Sequence, residues 1–234
     1  MNKHSYDDLW KNAWGDMQRV GPVHRHTLDN LVRRISTLDV RRVLDVGCGS
    51  GENLAALAAQ NRYELTGMDI SEAALSLARS RVGSARLFVS DITTETLPER
   101  FDMIISVQVV EHLLDDMAAL RNIAAMASGY VLVSTMQGRM RPSEIKIGHV
   151  RNYSAVELQR KLEAVGLEVM EVTGWGFPFY SPLYRTLVER LPGGPPAGPV
   201  GRAGEIGARL LYHLYRFNWP NRGDVLTVLA RRPS

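Results

Sequence analysis

The side chains whose types and spacing suit chemistry are carboxylates and histidines that close short apolar runs. The first lie in Val43-Leu44-Asp45-Val46-Gly47-Cys48-Gly49-Ser50-Gly51-Glu52-Asn53-Leu54, where a strand-like run ends in three alternating glycines and a helical pattern begins. Glycines belong where backbone must approach a ligand closely or adopt a φ that a Cβ would block, and a following helix start offers free N–H groups. Asp45, ahead of that turn, is a buried acid suited to a cationic amino-acid ligand. A dinucleotide loop, G-x-G-x-x-G, would need glycine at position 52, which is Glu52. Cys48 sits within the turn as a small residue that fits, not as a nucleophile.

Further polar groups stand at the ends of later apolar runs. Asp69 closes Leu65-Thr66-Gly67-Met68-Asp69, and its two acceptor oxygens suit the paired hydroxyls of a ribose. Asp91 follows Val89-Ser90, and Gln108, Glu111 and His112 follow Ser106-Val107. His112 is a candidate general base, since an unperturbed imidazole titrates near neutrality. The competing role for Glu111 and His112 is to cap and orient the next helix. His149, Arg151 and Tyr153 alternate, so an extended loop would face them to one side, toward an acidic or hydroxylated substrate. His149 is the second candidate base.

The elements that must position these groups alternate. Strands are predicted over 41–46, 63–69, 86–90, 101–107 and 129–135, with helices over 51–60, 72–82 and 112–126 between them. A loop over 136–150, a helix over 155–165 and strands over 167–174 and 224–231 complete the core. Such alternation implies a parallel sheet with helices on both faces, and ligands bind beyond the carboxyl ends of its strands. Two helices, 6–19 and 24–37, precede the core. Residues 176–222 form an aromatic and Pro/Gly-rich insert, with helices expected at 183–191 and 205–217. The expected organisation is an N-terminal helical segment (1–40), a Rossmann-like core (41–175), an insert or cap (176–222) and a final core strand (223–234).

The glycine turn resembles the D-x-G-x-G-x-G motif of class I S-adenosylmethionine-dependent methyltransferases, here Asp45, Gly47, Gly49 and Gly51 without departure. The resemblance implies an α/β fold with a doubly wound, seven-stranded, mostly parallel sheet whose last strand is antiparallel. It implies S-adenosylmethionine as cofactor and S-adenosylhomocysteine as product. By the same resemblance Asp69 binds the ribose, Ile70 packs on the adenine, Asp91 and the backbone of Ile92 address the adenine ring, and Gln108 lies beside the methionine end. The segment Val107 to His112 resembles the V-x-E-H of many small-molecule methyltransferases and lacks the N/D-P-P-Y/F of enzymes that methylate nucleic-acid bases. Some relatives hold a divalent ion through E-x-x-E-H; Gln108 replaces the first acid, so no metal is expected. The implied activity is methyl transfer to a small or lipid-like acceptor, with O-methylation favoured. Glu111, Arg151, Tyr153 and Trp175 are the candidate substrate contacts. The alternatives are an S-adenosylmethionine-binding protein without transfer activity and an RNA-modifying enzyme.

Composition narrows the partners. Over 234 residues the net charge is +3, too weak to argue for nucleic acid. A lone cysteine excludes an internal disulfide. No apolar run approaches a membrane span and the N-terminus carries no apolar signal region, so a cytoplasmic protein, monomer or homodimer, is expected. The aromatic runs from Trp175 to Tyr184 and from Leu210 to Trp219 suit a roof over an acceptor, a peripheral membrane contact or a dimer contact, with packing as the plain role.

Overall fold

In the computed structural model, which describes residues 20–190 and 200–233, seven strands form one sheet. They are β1 (Arg42–Val46), β2 (Glu64–Asp69), β3 (Arg86–Val89), β4 (Phe101–Val107), β5 (Ala127–Met136), β6 (Glu168–Trp175) and β7 (Val225–Arg231). Across the sheet they run β3-β2-β1-β4-β5-β7-β6. Strands β1 to β5 are mutually parallel, and β7 lies antiparallel between β5 and β6. Fold and strand positions follow the sequence expectation. The helix expected over 6–19 and the stretch 191–199 lie outside the described residues.

Helices cover both faces: α1 (Pro22–Ser36), α2 (Glu52–Ala58), α3 (Glu72–Arg81), α4 (Asp116–Met126), α5 (Pro142–Lys146), α6 (Ala155–Ala164), α7 (Arg185–Arg190) and α8 (Arg202–Tyr215). Neighbouring strand residues point to opposite faces, so each strand feeds two cores. Leu44 and Val46 join Met68, Ile104 and Val131 under Leu120 and Ile123 of α4 and Leu158 and Leu162 of α6. Val43 joins Leu65, Met103 and Ile105 on the other face, under Leu31, Ile35, Leu54 and Leu75.

Side-chain caps set several helix starts. Ser71 Oγ accepts the Ala74 N–H at 3.1 Å, and Ser154 Oγ accepts the Glu157 N–H at 3.1 Å. The helix expected from 112 starts later. Asp115 caps α4 by accepting the Ala118 N–H at 2.8 Å, and a single 3-10 turn, Val110–His112, precedes it. A carboxylate is a stronger N-cap than anything near 111, so the helix begins at Asp116 and Glu111 and His112 stay in the separate turn before it. The loop expected over 136–150 contains α5, which Pro142 opens.

The trio His149, Arg151 and Tyr153 does not face one way. Tyr153 is 1% exposed, and its hydroxyl donates to Asp116 Oδ2 at 2.7 Å. Arg151 pairs with the same Asp116 oxygen at 2.7 Å and donates to the Leu114 carbonyl at 2.9 Å. Lys161 adds a third contact to it at 2.7 Å. One buried carboxylate therefore collects both residues into a strut between α4, α6 and the loop, which corrects their assignment as substrate contacts. Desolvation in the core, and a backbone bridge that pairs Gln137 with Tyr153, turn the loop inward at that point.

Burial pushes the Asp116 carboxyl up, but the hydrogen bonds from Lys161, Arg151 and Tyr153 outweigh it and hold it below its ordinary value. A depressed carboxylate contributes stability above its unfolded pKa and loses it as pH falls through the folded one. Urea unfolding of wild type and Asp116→Asn should thus differ by about 3 kcal/mol at neutral pH, since breaking a buried pair leaves its partners uncompensated. The difference should shrink as pH drops below the ordinary Asp range near ~3.9. An unchanged difference at acid pH would remove the strut's electrostatic role.

Candidate active site

A cavity of about 440 Å³ opens beyond the carboxyl ends of β1, β2 and β4, bounded by Gly47, Asp69, Asp91, Gln108, His112 and His149. This is where a parallel α/β sheet presents its ligand crevice. It is built first by the turn between β1 and α2. Gly47, Gly49 and Gly51 have φ of +72°, +52° and +80°, the left-handed region that glycine enters without a Cβ clash. At Gly47 the clash would also be external, since a Cβ there would lie 2.4 Å from Val109 Cγ2.

Backbone donors pin this turn to β2. The N–H groups of Gly47 and Cys48 both reach the Met68 carbonyl, at 2.8 and 3.0 Å. Gly49 N–H donates to Asp69 Oδ2 at 2.8 Å, and Ser71 N–H donates to Asp69 Oδ1 at 2.9 Å. Both carboxylate oxygens of Asp69 thus hold backbone turns, and Asp69 stands on the cavity wall. Cys48 is buried against Gly67, whose missing side chain leaves room for the sulfur. Burial, with the charges of Asp45 and Asp69, pushes its thiol well above the ordinary value, so it remains protonated and serves as a small cavity-wall residue.

Asp45 is fully buried behind the turn and does not reach the cavity wall. Asn53 donates to its Oδ2 at 3.3 Å, while Oδ1 has no partner. Burial raises its pKa to about 7, the Asn53 bond opposes this, and the charge of Asp69 adds to it. Asp91 accepts from the Thr93 N–H at 2.9 Å and its hydroxyl at 2.7 Å, through Oδ1, at the cavity wall. Ile70 and Ile92 supply apolar wall on either side of Asp69 and Asp91. Asn122 donates to the Ile92 carbonyl at 2.7 Å and fixes that turn.

Gln108 directly follows β4 with φ of +58°, a conformation rare outside glycine. Its N–H donates to the Ser134 carbonyl at 2.8 Å, which holds the strained turn at the cavity wall. Such outliers gather at functional sites. No residue type in the sequence signals it.

The two histidines meet on the same wall, with ring centroids 4.6 Å apart and edges facing. Burial, then the neighbouring His149, pushes His112 down to about 4. Burial also lowers His149, partly offset by Asn152 and the charge of Glu144. Glu111 is fully buried behind them; its Oε2 accepts from Thr135 Oγ1 at 2.8 Å, and burial raises its pKa to about 7. Glu111, His112 and His149 present one ligand atom each within 4.8 Å of one another.

Glu111 and Trp175 do not reach the cavity wall. Glu111 points into the core toward β5. Trp175 ends β6 among aromatic rings, 4.9 Å from His26, 6.0 Å from Tyr180 and 6.1 Å from Tyr215. The insert uses Trp175 as packing, which corrects its assignment as a substrate contact. Conversely, α1 brings His24, Thr27 and Leu28 to the cavity, none of which the sequence reading selected as site residues. Their i, i+3, i+4 spacing marks a common helix face, but nothing local says what that face covers.

A methyltransferase domain matches residues 23–172, and the chain belongs to that family. The ubiquinone biosynthesis O-methyltransferase of Alkalilimnicola ehrlichii is 33% identical over 135 residues, which make up 54% of this chain and 54% of the relative. The match thus spans about half the length of this and similar curated relatives. Magnesium protoporphyrin IX methyltransferase from Synechocystis PCC 6803, solved with bound S-adenosylhomocysteine, shares the fold at TM-score 0.60, with 16% identity over 90% of this chain and 83% of that one. The N-methyltransferase NodS from Bradyrhizobium japonicum, also solved with S-adenosylhomocysteine, gives TM-score 0.61 and 19% identity over 92% of this chain and 89% of that one. The matched domain spans the glycine turn, Asp69 and Asp91 that bound the cavity.

Gly47→Ala tests the turn. It places a methyl group on Val109 and strains a left-handed residue, at a cost of about 1–3 kcal/mol in stability. Thermal unfolding should shift downward, and S-adenosylhomocysteine should no longer raise the midpoint. A variant that binds and melts like wild type would show that the close approach at Gly47 is dispensable.

Proposed function

We propose that this enzyme methylates a hydroxyl oxygen of a small or lipid-like molecule, with His149 as the base. The observation that carries the reading is a relay of orientation at the cavity wall. Asn152 Nδ2 donates to Glu144 Oε2 at 3.0 Å, which turns the amide oxygen of Asn152 toward His149 Nδ1 at 3.4 Å. That arrangement favours a proton on Nδ1 and leaves Nε2 as the acceptor. His112 remains neutral beside it, because two adjacent imidazoles resist double protonation. The apolar wall includes Leu28, Leu113 and Leu114, and Leu114 is 76% exposed, which suits an acceptor with an apolar body. The relatives named as ubiquinone biosynthesis O-methyltransferases support oxygen as the acceptor atom.

Bound S-adenosylmethionine supplies a methyl group on a sulfonium sulfur, and sulfur retains the C–S bonding pair as S-adenosylhomocysteine forms. His149 Nε2 takes the hydroxyl proton as the acceptor oxygen forms its bond to the methyl carbon. Asp69, Asp91 and the glycine turn hold the cofactor in line, and the walls keep water from the reaction.

Tritiated methyl transfer to a panel of phenols, alcohols and amines tests this. Transfer to a hydroxyl is expected, with His149→Ala slower by about a hundredfold or more. Binding of S-adenosylhomocysteine should survive the substitution. The rate should hold from pH 8 to 7 and fall only below the ordinary histidine value of 6.5, because His149 titrates lower and must be neutral to accept a proton. Transfer to amines alone would overturn the acceptor assignment, and no transfer would leave a binding role.

The grouping of Glu111, His112 and His149 supports a second reading, a divalent ion that holds the acceptor oxygen. Chelation with EDTA separates the two: an unchanged rate supports His149 as base, and a loss restored by added Mg²⁺, Mn²⁺ or Zn²⁺ assigns the trio to a metal.

A further inference from the structure

Helix α8 carries two apolar faces, and among the described residues only one is packed inside the protein. The inner face is fixed to α1. Tyr215 is fully buried, Tyr212 Oη donates to Asp29 at 2.6 Å, and His26 Nε2 lies 2.8 Å from the Tyr212 carbonyl. The outer face presents Ile206, Leu210 and Leu214 at 62%, 67% and 40% exposure, and Phe217, in the turn two residues past the helix end, continues it at 70%. At 3.6 residues per turn these four fall within a stripe about 80° wide. Trp219, just beyond the helix, is 53% exposed. Scattered apolar residues on a surface are ordinary, whereas a continuous stripe of long side chains on a rigid helix marks a contact.

Charge identifies what the stripe contacts. Arg202, Arg209 and Arg216 recur every seven residues, so they form an exposed row along one border of the stripe. Glu205 is the one acid of the helix. Two copies joined through this face would bring two arginine rows together with one carboxylate each to offset them. Anionic headgroups instead supply negative charge along the whole row while the acyl region takes the apolar stripe. No helix among the described residues is long and apolar enough to cross a membrane, so the contact is with a surface. Trp219 stands where an indole is favoured, at the level of the headgroups.

We propose that α8 docks this enzyme on an anionic lipid surface through Ile206, Leu210, Leu214 and Phe217, with Arg202, Arg209 and Arg216 against the headgroups. The helix packs on α1, which supplies His24, Thr27 and Leu28 to the active-site cavity, so docking sets the cavity one helix away from the bilayer. The proposal concerns partition alone and does not depend on which acceptor is methylated.

Co-sedimentation of the full chain with vesicles tests it. Vesicles of mixed phosphatidylglycerol and phosphatidylcholine should bind the protein, more weakly as salt rises, and pure phosphatidylcholine should bind little. Arg209→Gln with Arg216→Gln should weaken partition by about 25-fold, about fivefold for each arginine. Leu210→Gln with Phe217→Gln should abolish it. Both double variants should keep the wild-type circular dichroism and S-adenosylhomocysteine binding. Absence of binding to anionic vesicles would overturn the proposal, as would binding that ignores both variants. Self-association in analytical ultracentrifugation that Leu210→Gln abolishes, without vesicle binding, would assign the face to a second copy and overturn it as well.

Discussion

The site depends on how closely two pieces of backbone approach at the end of β1. Gly47 and Cys48 both donate to the Met68 carbonyl, and Gly49 donates to Asp69. These bonds draw the turn onto the end of β2, and Val109, just past β4, closes over it with no room for a Cβ at Gly47. Three strand ends are thereby locked at one point. Asp69 is held by the turn it holds, so its carboxylate is already oriented at the cavity wall. Preorganisation of this kind costs binding energy little, because the groups lose their freedom on folding.

Much of this was legible from residue types. The glycines, Asp45, Asp69 and Asp91 stand at strand ends, and short apolar runs buried on both faces read as parallel strands. The seven strands appeared within two or three residues of their observed bounds. Less legible were features that depend on contacts distant in sequence. Asp116 gathers Tyr153 and Arg151 from a loop that, read alone, alternates like an exposed strand. The left-handed Gln108 follows from the crowding of β4, β5 and the glycine turn, none of which its own neighbours reveal. Trp175 looked available for a substrate because an aromatic run carries no sign of what covers it; α1 and the insert cover it.

Beyond the strand ends, the chain departs from a minimal core through its insert. Arg185 of α7 pairs with Glu144 of α5 and with Asp224 before β7, a buried network that ties the insert to the loop bearing His149. Glu144 also orients Asn152, so one carboxylate links insert packing to the imidazole at the cavity. Buried charges of this sort are costly unless fully partnered, and here the partners span three separate elements. The wall bearing His149 is thus anchored through α5 to the insert, while the wall bearing Gly47 and Asp69 is shaped by the strand ends.

The most direct test of this account is calorimetric titration with S-adenosylhomocysteine, on wild type and on Asp69→Ala. The account predicts micromolar binding to wild type and a loss of at least about tenfold in the variant, as expected when hydrogen bonds to a charged group are removed. Circular dichroism establishes that the variant remains folded. No binding to wild type, or equal binding to a folded variant, would contradict the placement of the cofactor at the ends of β1 and β2.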